Sequence, residues 1–90
     1  MQYTLPTVHF NGSSRERLFD GYHAAYLATV AARDALRMVE FHARDYYVID
    51  GAWPKALDER VAQFDHLAQV MQFLEAHLTH LAPAPAGDTP

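Results

Sequence analysis

Ninety residues, half of them apolar, fill one domain at most, and a chain this short hides only a thin core, so apolar surface is left over for a partner. The lack of cysteine excludes disulfides and thiolate metal sites, and a net charge of −4 argues against bulk nucleic-acid binding, which rests on cations that neutralise phosphates. The apolar runs fall far short of the roughly 20 residues that cross a bilayer.

Lys55 is the one lysine, and the remaining cations are arginines, whose planar guanidinium suits fixed anion contacts. Met1-Gln2-Tyr3-Thr4 shows no basic segment followed by an apolar one, so no signal peptide is expected and the expected compartment is the cytoplasm.

Residues 1–12 read as an extended arm. Pro6 blocks an early helix, Tyr3, Leu5, Thr7 and Val8 through Phe10 suit extended backbone, and Asn11-Gly12 signals a turn. A helix is then expected over about 13–43, starting at Ser13 or Ser14. Ser13-Ser14-Arg15-Glu16 has the form of a capping box, in which a hydroxyl and a carboxylate satisfy the free N–H groups of the first turn. Leu18, Tyr22, Ala25, Thr29, Ala32, Leu36 and Val39 follow at steps of three and four, which predicts a coiled-coil-like seam. The pattern runs through Gly21 even though glycine costs a helix about 1 kcal/mol relative to alanine.

Residues 45–52 connect to a second helix over about 53–81, with Asp50-Gly51 as the turn, Asp50 as the candidate cap and Pro54 in the tolerant first turn. Its main stripe is Leu57, Val61, Phe64, Leu67, Met71, Leu74, Leu78 and Leu81, and Ala68, Val70, Phe73 and His77 widen it. A helix apolar over more than one face is buried on more than one side. A second copy is the expected neighbour, with Phe64, Leu67, Val70, Met71, Phe73 and Leu74 at the interface. Residues 82–90, rich in Ala and Pro, read as a disordered tail. The fold class is therefore all-α: an antiparallel two-helix hairpin, residues 13–81, with an N-terminal arm, assembling into an oligomeric helical bundle.

Three constellations are candidates for binding. Asn11, Ser13, Ser14 and Arg15 gather a turn, hydroxyls and a guanidinium at the positive end of a helix, where free N–H groups bind phosphate or carboxylate; an ordinary cap with a solvated arginine has the same residues. Arg33, Arg37 and Arg44 extend a row with Phe19, His23, Tyr26 and Val30. Like charges one turn apart repel unless an anion lies between them, and Asp34, Glu40 and Asp45 are near enough to remove the conflict. Tyr46, Tyr47 and Trp53 beside Arg44 suit either stacking on a nucleobase or closing the open end of a small core. His77 and His80, or Asp20 and His23, give no complete metal-ligand set, so no metal or cofactor is expected. No elbow motif surrounds Ser13 or Ser14 and no carboxylate pair stands out, so no catalytic residue is expected either.

Over Leu5-Pro6-Thr7-Val8-His9-Phe10-Asn11-Gly12-Ser13-Ser14-Arg15 and Arg44-Asp45-Tyr46-Tyr47, the chain resembles a group of short phage and prophage helical-hairpin proteins, across residues 5–81. The resemblance implies a phage or prophage origin and carries no activity with it. In architecture, not in motif, the chain is similar to phage sponge proteins, small oligomers that sequester nucleotide signals made by bacterial defence systems. The resulting expectation is an oligomeric, non-enzymatic binding protein that captures a phosphorylated or cyclic nucleotide at subunit junctions. Arg15 and the N–H groups near Ser13 and Ser14 would hold phosphate, and Tyr46, Tyr47 or Trp53 the base; the net negative charge weighs against it. The alternatives are a protein-interaction module that docks an apolar helix face on a host or phage protein, and a structural hairpin of a phage assembly.

Overall fold

Of the two serines expected to start the first helix, Ser14 is its cap. In the computed structural model, which describes residues 3–83, Ser14 is extended at φ −67° and ψ 154°, and its Oγ accepts from the Arg17 N–H at 3.1 Å. The expected capping box is therefore displaced by one residue: the third helical position is Arg17, and Glu16 does not reach back as the reciprocal carboxylate. Helix α1 spans Arg15–Arg37, a short 3-10 turn covers Ala43–Asp45, and helix α2 spans Ala52–Leu81.

The first helix stops about a turn and a half before the expected end. Met38 and Val39 donate to Ala35 and Leu36, three residues back, at 3.1 and 3.2 Å, so the last turn tightens and the chain leaves the axis. Phe41 then packs its ring against Tyr46 and Trp53, with centroids at 5.7 and 4.9 Å. Continued helix would forgo that packing, and tertiary contacts override local propensity here. The second helix begins where expected but with a different cap. Gly51, at φ +76°, is the residue before the first turn, and no side chain caps it, so Asp50 does not serve. A left-handed backbone at that point is tolerated by glycine and strained for a side-chain-bearing residue. Pro54 sits in the first turn as expected.

The two helices run antiparallel. Tyr22 meets His77 at 4.5 Å between centroids, Arg33 meets Met71 at 3.9 Å, and the Arg60 guanidinium lies 4.7 Å from the Phe41 ring centre, so contacts advance along one helix as they retreat along the other. Leu74, His77 and Leu81 are buried, and all lie near the open end of the hairpin.

Both seams keep the larger part of the expected residues, among them Leu18, Tyr22, Thr29 and Leu36 on α1 and Phe64 to Leu81 on α2, and differ in the rest. On α1 the half-buried residues include Phe19, Tyr22, Tyr26, Thr29, Val30, Arg33 and Leu36, whereas Ala25, Ala32 and Val39 of the expected seam face outward. Large side chains exclude more water per contact than alanine, so the helix turns its aromatic and branched residues toward α2. On α2 the contact row runs through Trp53, Ala56, Arg60, Phe64, Leu67, Met71, Leu74, Leu78 and Leu81; Leu57 and Val61, expected in the stripe, stay exposed.

The arm folds back along α2. Tyr3 meets Phe73 edge-on at 5.3 Å, and the His80 Nε2–H donates to the Pro6 carbonyl at 2.7 Å. The chain then turns at His9–Gly12, closed by the Gly12 N–H donating to the His9 carbonyl at 3.0 Å, and enters α1. The expected tail falls outside the described residues from position 84 onward.

This architecture leaves much of the chain in water. The accessible surface is 7134 Å², whereas a compact monomer of 10.2 kDa exposes about 5300 Å². The radius of gyration is 19.2 Å against about 12 Å for a compact chain of this length. Leu27, Met38, Val39, Tyr47, Val48, Ile49, Val61 and Val70 are all exposed. Among the described residues, no helix is long and apolar enough to cross a membrane.

Candidate functional site

The residues singled out in the sequence fall at three places along the hairpin. Asn11, Ser13 and Arg15 lie exposed at the open end, beside the turn into α1. The Ser14 hydroxyl is engaged with the Arg17 N–H, so it acts as a cap. Gly12 lies close under the His9 imidazole: a Cβ there would come within 2.9 Å of Nε2. Its smallness shapes this turn.

Arg33 and Arg37 lie midway, where Asp34 resolves their repulsion. Arg33 Nη2 and Arg37 Nη1 reach the same Asp34 Oδ1 at 3.3 and 3.6 Å. The anion expected between the two arginines is thus the chain's own carboxylate. Arg33 Nη1 also donates to the Met71 sulfur at 3.9 Å, laying the guanidinium across the helix–helix groove. Arg33, Arg37, Phe64, Ala68, Met71 and Glu75 line a shallow cleft of about 290 Å³ there, and Glu75 brings a second carboxylate to it.

At the hairpin tip, the aromatic residues close the core. Phe41, Tyr46 and Trp53 form a triangle with centroids 4.9 to 5.7 Å apart. Arg60 covers it, its guanidinium 4.7 Å from the Phe41 ring centre and 5.2 Å from that of Phe64. Tyr46 and Trp53 are tilted 40° to one another, and both are half-buried within this group. Tyr47 points outward at 73% exposure, and Arg44 is exposed beside it. Phe41 and Arg60 had no role in the expected site. Arg60 stands at steps of four and three before Phe64 and Leu67, so its place in the contact row was the available signal.

A second aromatic group forms at the open end. Phe73 and Tyr22 lie against His77 at 4.3 and 4.5 Å between centroids, and Tyr3 and Tyr22 flank Phe73 at 5.3 and 6.4 Å. The His77 Nδ1–H donates to the Phe73 carbonyl at 2.8 Å, which orients the ring inside the helix pair. His77 and His80 therefore serve packing and arm attachment. Among the described residues, no three His, Asp or Glu side chains converge at metal-binding spacing.

The expected interface residues divide between two surfaces. Phe64, Leu67, Met71 and Leu74 turn toward α1 of the same chain, while Val70 and Phe73 line an open cleft of about 590 Å³ with Tyr3, His66, Gln69 and Gln72. The anion-ready end and the aromatic tip are also apart. Helix α1 has 23 residues, which places Arg15 about 33 Å from the tip of its own chain. One chain cannot bring Arg15 and Tyr47 to one small ligand.

No family model, curated protein or solved structure matches the chain.

Proposed function

We propose that this chain is a protein-interaction module, a helical hairpin that completes its core by packing its outer helix faces on another helical protein, a second copy of itself before any other. One observation carries the reading: among the described residues three side chains are buried and thirteen large apolar residues are exposed, including Leu27, Val61 and Val70 along the helices. Apolar surface on this scale marks interaction sites in stable proteins. The charges do not compete for the same role, because Arg33 and Arg37 are met by Asp34 and the tip aromatics by Arg60. A phage or prophage origin is proposed with it, on the residues that carry the resemblance.

Light scattering after size exclusion tests the reading. An assembly of at least twice 10.2 kDa is expected. A helical monomer at ~100 µM, where even a weak association with a micromolar Kd is filled, overturns it.

Capture of a phosphate-bearing nucleotide at a subunit junction is the second reading. The exposure of Arg15 at the first position of α1 and of Tyr47 at the tip favours it. Their separation within one chain confines it to an assembly in which one copy's open end meets another's tip. Cyclic and linear nucleotides should then raise the melting temperature of the wild type and leave Arg15→Ala unmoved. If no nucleotide shifts the wild type, this second reading falls and the interaction module stands alone.

A further inference from the structure

Arg60 is a half-buried cation without an acceptor of its own. The rings of Phe41 and Phe64, 4.7 and 5.2 Å from its guanidinium carbon, attract the charge but take none of its five N–H donors in an ordinary hydrogen bond. Among the described residues, the arginine side chains that donate or pair are Arg33 and Arg37, through Asp34 and Met71. Arg60 does neither. A charge drawn partly out of water gains most from an opposite charge.

The same guanidinium borders an open cleft at the tip. Its volume is about 590 Å³, and Leu36, Val39, Phe41, Glu59, Arg60 and Gln63 line it. Leu36 near the end of α1, with Val39 and Phe41 just after it, supplies the apolar part. Three residues of α2 supply the polar part. A cleft of about 300–1,000 Å³ with an apolar lining and a few convergent polar groups is the usual form of a small-molecule site.

Glu59 sets the charge of the occupant. It is exposed in this cleft and makes no ion pair with Arg60. A plain anion drawn to Arg60 would be repelled by Glu59, and a plain cation drawn to Glu59 would be repelled by Arg60. A group that carries both charges on neighbouring atoms satisfies both side chains.

We infer that this cleft binds a free α-amino acid with a large apolar side chain. Its carboxylate lies on Arg60, its ammonium on Glu59, and its side chain against Leu36, Val39 and Phe41. Gln63, one turn after Glu59, offers an amide that donates to the carboxylate or accepts from the ammonium. The planar guanidinium is already held by the two rings, so little of its freedom is lost on binding. All six residues belong to one chain, and the inference does not rest on the association proposed above.

Titration calorimetry with L-phenylalanine, phenylpropionate and phenethylamine tests it. Fluorescence of Trp53, the chain's single tryptophan, follows the same titrations, because its ring centre is 4.9 Å from that of Phe41. L-Phenylalanine should bind about tenfold more tightly than either analogue, the factor expected for one charge-assisted hydrogen bond. Glu59→Gln, at an exposed position, should weaken L-phenylalanine about tenfold and strengthen phenylpropionate, which no longer meets a carboxylate. Arg60→Lys, shown to be folded by circular dichroism at the titration temperature, should weaken both carboxylates and not phenethylamine. Phenylpropionate that binds as tightly as L-phenylalanine, or Glu59→Gln without effect, overturns the amino-acid assignment. No heat and no change at Trp53 with any of the three up to about 10 mM, where even a millimolar Kd is filled, overturns the site.

Discussion

Arg60 offers a direct test of how the hairpin tip is held. Its guanidinium lies 4.7 Å from the Phe41 ring centre and 5.2 Å from the Phe64 ring centre, within the range where a cation and an aromatic face attract. Arg60 is half-buried, so each contact is worth about 0.5–1 kcal/mol or somewhat more, and the pair about 1–2 kcal/mol. Arg60→Met keeps an unbranched stem of similar bulk and removes only the charge and the planar head. Arg60→Lys keeps the charge but loses the stacking plane, and should recover less than half of the loss. For a domain of this size, 1 kcal/mol shifts the melting temperature by about 4–8 °C, so Arg60→Met should melt about 4–16 °C lower. Circular dichroism at fixed protein concentration measures this, and the near-ultraviolet signal of Trp53, packed with its ring centre 4.9 Å from that of Phe41, reports the tip itself. A melting temperature within about 1 °C of wild type and an unchanged Trp53 signal would show that the rings close the tip without the arginine.

Leu74 is 5% exposed, and Leu74→Ala should cost about 2–5 kcal/mol by leaving a cavity between the helices, a large share of a total expected near 5–13 kcal/mol; denaturant unfolding measures it. Ser14→Ala should cost about 1 kcal/mol through loss of the hydroxyl that accepts from Arg17, and Ser13→Ala no more than a few tenths, so thermal melts of the two separate the observed cap from the expected one. Treatment with a chelator should leave the melting temperature unchanged, since a structural metal would contribute several kcal/mol to folding and its removal would show at once.

The parts of the fold that depend on chain-local signals were legible in the sequence. Ala52–Leu81 is close to the expected helix because a long row of leucines runs to its end and Pro54 fits its first turn. The arm and its turn followed from Pro6 and Asn11-Gly12. The parts that depend on tertiary choice were not legible. Two rows of α1 had helical spacing, and which of them faced α2 was decided by the bulk of Phe19, Tyr26 and Val30 against that of Ala25 and Ala32. The early end of α1 followed from Phe41 finding Trp53, a contact between residues on opposite sides of a loop. Gly51 replaced Asp50 as the cap because the turn needed a left-handed backbone. At the candidate sites, the capacity of Asp34 to serve both arginines was visible from spacing, and the aromatic tip had two readings from residue types alone. Its distance from Arg15 follows from the length of the first helix, which the expected span of about 13–43 already implied.

The central claim is that this hairpin depends on a partner to cover its outer faces. The melting temperature as a function of protein concentration tests it most directly, because a fold that gains stability from association must gain more as concentration rises. Between ~1 and ~100 µM, a steady rise of several degrees in the wild-type melting temperature is expected. A wild-type melting temperature that stays constant over the same range, with full helical signal throughout, would contradict it.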